Sequence, residues 1–325
     1  MKKQLDIDIE LLKAMFKCTQ GQLKEVIEDF LRDTYGYENT IVADKYVIGI
    51  GEIPVGLVAH LDTVHSTPAY TVYHDQEEEV MWSPMGLGAD DRAGVYSIIS
   101  IIKRGYRPTV IFTTDEEIGG VGASKIASDF AEMPSNMKFL VELDRRGSED
   151  SVFYECNNPL FENYINKFGF ITDIGSFSDI CMISPDWGIA AVNLSIGYYN
   201  EHTHQEHLKL REMSATIDKV CRILDDAENA DKFEFIQRSS TRWWESAYNE
   251  YPREDDEVCW SCLGTFPKDQ VVHTEAGETY CIDCYGKYIR YCDNCGCEYS
   301  VTNNVYSLDQ NLCPTCAKDY FGYDN

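Results

Sequence analysis

Residues 55–64 read Val-Gly-Leu-Val-Ala-His-Leu-Asp-Thr-Val. The apolar run Val55–His60 has the length and composition of a buried strand. His60 and Asp62 stand two apart at its end, so their side chains point to one face. Similar runs occur at Tyr46–Ile50, Val110–Thr114, Phe139–Leu143 and Ala190–Ile196. Helical spacing appears between them, near Ala93–Lys103, Gly122–Phe130, Phe161–Phe168 and Leu208–Leu224. Strands alternating with helices predict an α/β fold: a mostly parallel sheet flanked by helices. Residues 10–33 also carry helical spacing, and Gly21 is expected to divide them into two helices. In such folds, sites gather beyond the carboxyl ends of the strands. His60, Asp115–Glu117, Asp144 and His202 each follow a strand-like run, whereas Asp90 opens a helix.

Polar residues recur at those positions in five segments. They are Val-Ala-His-Leu-Asp-Thr-Val (58–64), Gly-Ala-Asp-Asp-Arg-Ala-Gly (88–94), Thr-Thr-Asp-Glu-Glu-Ile-Gly-Gly (113–120), Val-Glu-Leu-Asp (141–144) and Tyr-Tyr-Asn-Glu-His-Thr-His-Gln-Glu (198–206). His60 can ligate a metal through one ring nitrogen while Asp62 holds the proton on the other. The bland reading of that pair is a satisfied histidine capped by an aspartate. Asp90 has two oxygens and can bridge two cations, although Asp90 and Asp91 would also suit a helix N-cap. Asp115, Glu116 and Glu117 repel one another unless a cation sits among them. Neighbouring residues there point different ways, so one glutamate can ligate while the other faces a water. Asp144 is a ligand or a turn residue, and spacing does not choose among His202, His204 and His207. Two divalent cations bring four positive charges, against the four negative charges of Asp90, Glu116, Glu117 and Asp144. That balance suits metal-assisted hydrolysis, and several independent bland readings would have to coincide to replace it.

Composition narrows the partners. The 325 residues are 44% hydrophobic and carry a net charge of −27. A surface so acidic repels phosphate backbones and anionic lipid, which argues against nucleic acid and membranes. The opening Met-Lys-Lys-Gln-Leu-Asp-Ile-Asp lacks the apolar core of a signal peptide, and no run of about 18 apolar residues exists.

Together the five segments, in this order, resemble the superfamily of dinuclear zinc exopeptidases that includes peptidase T, carboxypeptidase G and the compact bacterial aminopeptidases. The likeness covers roughly residues 1–225 and implies the phosphorylase/hydrolase-like α/β fold. Carried over by position, it implies one zinc on His60, Asp90 and Asp144 and a second on His202, Asp90 and Glu117, with Asp90 bridging. His202 is chosen because Glu206 follows it at the family's spacing. Glu116 would be the general base, Asp62 would orient His60, and the Asp90–Asp91 peptide would be cis. Peptidase T inserts a lid domain between the ligands matching Asp144 and His202; here 57 residues intervene, so a compact domain is expected. The implied activity is an aminopeptidase acting on short peptides. Alternatives are an acyl-amino-acid deacylase using the same site, with Arg145 and Arg146 as possible carboxylate holders, and a non-catalytic adaptor.

Of thirteen cysteines, nine fall between Cys259 and Cys316. Without a secretion signal, CxxC pairs read as metal ligands in a reducing cytoplasm. Cys259-x-x-Cys262 precedes Cys281-x-x-Cys284 by 18 residues, and Cys292-x-x-Cys295 precedes Cys313-x-x-Cys316 by 17. That repeat predicts two successive zinc ribbons over 258–325, each with one structural zinc, and four zinc ions in all. Cys297 and His273 are spare donors. Residues 226–257 are expected to be an acidic linker, packing through Trp243 and Trp244. From Val258 on, four Lys and Arg face nine Asp and Glu, so the ribbons are expected to contact protein rather than nucleic acid.

Overall fold

The computed structural model describes residues 5–130, 137–237, 257–259, 265–274, 277, 279–300, 313 and 315–316. The chain divides into two compact units, Met1–Arg238 and Ser239–Asn325. No described helix is long and apolar enough to cross a membrane.

The first unit is built on an eight-stranded sheet. Its parallel heart runs β6 (Pro108–Thr113), β3 (Ile53–His60), β7 (Phe139–Arg145), β10 (Ala191–Ser195) in spatial order. Antiparallel pairs extend it with β1 (Thr40–Val42) and β2 (Tyr46–Gly49) on one side and β8 (Asp150–Val152) on the other; β9 (Ile171–Asp173) then pairs parallel to β8. Strand alternation sorts the side chains. Leu57, Ala59, Val110, Phe112, Phe139 and Val141 enter one core layer; Val58, Ile111 and Leu140 enter the other. The larger layer contains α1 (Ile9–Phe16), α3 (Ala89–Lys103), α5 (Pro159–Asn166) and α7 (Leu210–Asp226). The smaller contains α4 (Val121–Asp129) and α6 (Ile180–Trp187). Burial on both faces is why the central strands read as continuous apolar runs.

α3 is buried almost all round, its polar first turn included. Gly94 lets it approach the sheet, because a Cβ there would lie 2.2 Å from the Leu143 carbonyl oxygen.

Two expectations are corrected, and one element is new. Gly21 lies inside α2 (Gln20–Asp29) rather than between helices. The break falls at Thr19, whose hydroxyl accepts from the Gln22 N–H while the Gln22 side chain accepts from the Thr19 N–H; this capping box outweighs one glycine. Residues 226–237 are not linker: Phe233 is buried against Phe139, Phe161 and Tyr164, and Ile189 and Cys156 bridge to Glu234 and Gln237. The rest of the expected linker, with Trp243 and Trp244, lies outside the described residues. Finally, a small antiparallel sheet was not foreseen. It orders β11 (Tyr198–Tyr199), β12 (His207–Lys209), β5 (Val80–Trp82) and β4 (Tyr73–Asp75).

Among its described residues the second unit has three two-stranded ladders and a helix, α8 (Ile282–Tyr288). Its described core is cysteine and aromatic: Cys259, Tyr280, Cys281 and Ile289 in one cluster, and Cys292, Tyr299, Cys313 and Cys316 in another.

Thr19→Ala should lower unfolding free energy by about 1 kcal/mol through loss of the cap, read as a shifted urea midpoint. An unchanged midpoint would show that the cap does not fix this helix boundary.

Candidate metal centre

Parallel neighbours end together, and this places the site. β3 delivers His60 and the adjacent β7 delivers Asp144. β6, on the other side of β3, leads into the Asp115–Glu117 turn. The loop between β11 and β12 carries His202, and the start of α3 carries Asp90.

Asp90 faces two histidines. His60 Nε2 lies 3.0 Å from its Oδ1, and His202 Nε2 lies 3.2 Å from its Oδ2. Asp144 Oδ1 lies 3.6 Å from His60 Nε2, and Glu117 Oε2 lies 3.1 Å from His202 Nε2. Donor atoms of His60, Asp90 and Asp144 therefore fall within 4.8 Å of one another, as do those of Asp90, Glu117 and His202. The Asp90–Asp91 peptide is cis. His204 is exposed and His207 stacks on Tyr199, so His202 is the histidine brought to Asp90. His202 is itself half exposed, which leaves the centre open on that side.

Asp62 lies 3.3 Å from His60 Nδ1. It also accepts the N–H groups of Glu116 and Glu117, at 3.0 and 3.1 Å, so one carboxylate holds both the histidine and the acidic turn. Asp115 points away, to Lys45 Nζ at 2.8 Å and Gln20 Nε2 at 3.0 Å. Asp115 and His202 both adopt left-handed backbone, uncommon outside glycine. Arg145 pairs with Asp173 and Arg146 with Glu201, each at 2.8 Å.

Electrostatically the group is a crowd of buried acids. Burial pushes Glu116 up to about 8, with Asp144, Asp179 and Glu117 adding to the effect. Burial and Asp90 push Asp144 up to about 7. Burial works the same way on Asp90, but His202 and His60 overcome it and hold that carboxyl well below its usual range. Asp90 and Glu117 raise His202 to about 11. Glu117 Oε1 is buried and accepts no hydrogen bond from the described residues. Imidazole nitrogens and carboxylate oxygens in two triads sharing one carboxylate form a donor set that fits two divalent cations.

The supports around these groups were missed by sequence reasoning, apart from Glu206 as a spacing marker. Glu206 is buried and accepts the N–H groups of Leu87 (3.1 Å), Gly88 (2.6 Å) and Asp90 (3.0 Å). It also meets His65 Nε2 at 3.0 Å. Asn193 clamps Asp144, accepting its N–H at 2.9 Å and donating to its carbonyl at 2.8 Å. Tyr198 donates to Asp144 Oδ1 at 3.0 Å, and Ser178 Oγ lies 3.1 Å from Oδ2. Ser178 also bonds the buried Glu142, whose presence in an otherwise apolar strand was a readable signal.

In the second unit, the sulfurs of Cys292, Cys295, Cys297 and Cys313 lie within 4.8 Å of one another, as do those of Cys259, Cys281 and Cys284. Cys262 lies outside the described residues. Cys316 donates its N–H to Cys313 Sγ at 3.4 Å and packs in the same cluster, while Cys297 joins Cys292, Cys295 and Cys313 in the four-sulfur group.

No protein-family model matches the chain, and no curated protein does. Solved structures do. An aminopeptidase PepT from Bacillus cereus superposes with TM-score 0.55 at 14% identity, over 68% of this chain and 98% of that one. A tripeptidase from Staphylococcus aureus gives 0.54 at 13%, over 68% and 98%. A TET aminopeptidase from a marine sediment archaeon of the Thaumarchaeota gives 0.52 at 15%, over 66% and 96%. At such identities the likeness is one of fold.

Glu206→Ala would strand three backbone N–H groups, two of them belonging to Leu87 and Asp90, beside the centre. Roughly 3 kcal/mol or more of stability should be lost, at about 1–3 kcal/mol per unsatisfied buried group, read by urea unfolding. A loss below about 1 kcal/mol would mean that the loop 87–90 does not depend on this carboxylate.

Proposed function

We propose that the chain is a metal-dependent exopeptidase, an aminopeptidase cutting the amino-terminal residue from short peptides. The observation that carries this reading is the pair of donor triads sharing Asp90. The fold is shared with solved structures described as aminopeptidases and a tripeptidase, which agrees with it.

In this reading His60, Asp90 and Asp144 would hold one zinc, and Asp90, Glu117 and His202 the other. When bound, the cations polarise the scissile carbonyl and lower the pKa of a water. Asp62 orients His60 and, through the two N–H groups it accepts, sets the Glu116–Glu117 turn. Glu116 takes the proton of the attacking water and returns it to the leaving amine. The cysteine groups of the second unit would hold two structural zinc ions in successive ribbons, and their acidic surroundings favour a protein contact.

The test is hydrolysis of a dipeptide with a free amine, its N-acetyl form and acylated amino acids, with zinc or cobalt supplied. The wild type should cleave only the free-amine substrate. Glu116→Ala should keep its metal while kcat falls roughly 10²–10⁴-fold. Wild-type turnover in Glu116→Ala would remove the base assignment. Cleavage confined to acylated amino acids would replace the exopeptidase by a deacylase.

A further inference from the structure

We propose that Arg92 receives the terminal carboxylate of the substrate in a cavity beside the metal centre, which limits the enzyme to short peptides with a free carboxyl end. The inference rests on the peptidase reading above and adds the substrate's second recognition point. A cavity of about 470 Å³ is lined by Thr63, His65, Ser66 and Arg92, and also by Asp62 and Glu117. Because Asp62 and Glu117 belong to the centre described above, the cavity adjoins the place where a peptide bond would be cut.

Arg92 is 3% exposed. Among the described residues no carboxylate reaches ion-pair distance of it. Its hydrogen bond runs from one terminal nitrogen to the Leu61 carbonyl, at a long 3.4 Å, and its buried Nε finds no partner among the described residues. A guanidinium stays protonated in proteins, so Arg92 is a cation at neutral pH. Buried charges are normally paired and hydrogen-bonded.

The other charged groups of the cavity are already engaged. Asp62 holds His60 and two N–H groups, and Asp115 holds Lys45 and Gln20. Glu117 faces His202, and His65 faces Glu206. The guanidinium of Arg92 thus keeps donors for an incoming anion, and its planar fork matches a carboxylate. The cavity's volume is that of a small-ligand pocket, so the carboxylate must end a short chain. Arg145 and Arg146 do not line this cavity and pair with Asp173 and Glu201.

The experiment compares kcat/KM of the full-length zinc-loaded protein on trialanine and on trialanine amide. Wild type should favour the free acid roughly ten- to a hundredfold, the range for one charge-assisted hydrogen-bonded contact. In Arg92→Met the ratio should fall to within about twofold of unity, with circular dichroism and metal content as wild type. Arg92→Lys, which keeps the charge but not the fork, should give an intermediate ratio and stands in if the methionine variant does not fold. Equal cleavage of acid and amide by wild type would overturn the role of Arg92 and leave the peptidase reading intact. So would a wild-type ratio in either folded variant. A wild type that cleaves neither tripeptide would overturn both.

Discussion

Asp90 has to face His60 with one oxygen and His202 with the other, and the first unit is arranged around that requirement. Neither oxygen is spare. The three residues come from distant parts of the chain, so their meeting depends on tertiary structure alone. β3 supplies His60 beside β7 and its Asp144, and β6 on the other flank supplies Glu116 and Glu117. A different strand order would separate these groups. Burial makes the same arrangement costly: it raises Asp144 and Glu116, and only the two histidines keep Asp90 down. A compensating positive charge is what such a group of acids calls for.

Two clamps make the geometry specific. Glu206 ties the His202 hairpin to the loop before α3 by taking three N–H groups of residues 87–90. His202 and Asp90 are therefore positioned by one carboxylate four residues from the histidine. Asn193 does the same for Asp144 through its backbone, while Tyr198 and Ser178 fix the two oxygens of its carboxylate. Rigid second contacts of this kind set ligand direction in metal sites.

Much of this could be read from the residues. The central strands announced themselves because both faces are buried, and the acids and histidines stood at their ends. The small sheet was invisible because its strands span two or three residues, too few for an alternation to register. Gly21 misled because a breaker was weighed and the Thr19–Gln22 capping box was not. The linker was placed too early because the sequence from 226 is acidic, although Phe233 alone suffices to pin it to an aromatic cluster. Asn193, Ser178 and Tyr198 carried no signal, since each acts through a partner far away in the sequence. Cys297 was visible only as a spare donor; its place among four sulfurs depends on the turn at Cys292–Cys297.

The central claim is that one carboxylate serves two cations. Anomalous diffraction at the zinc edge, from crystals of the full-length protein, tests it most directly. Two peaks should flank the Asp90 carboxylate, about 3.5–4 Å apart as in two-metal sites, one toward His60 and Asp144 and the other toward Glu117 and His202. A single peak, or none within reach of Asp90 while the cysteine groups are filled, would contradict the account.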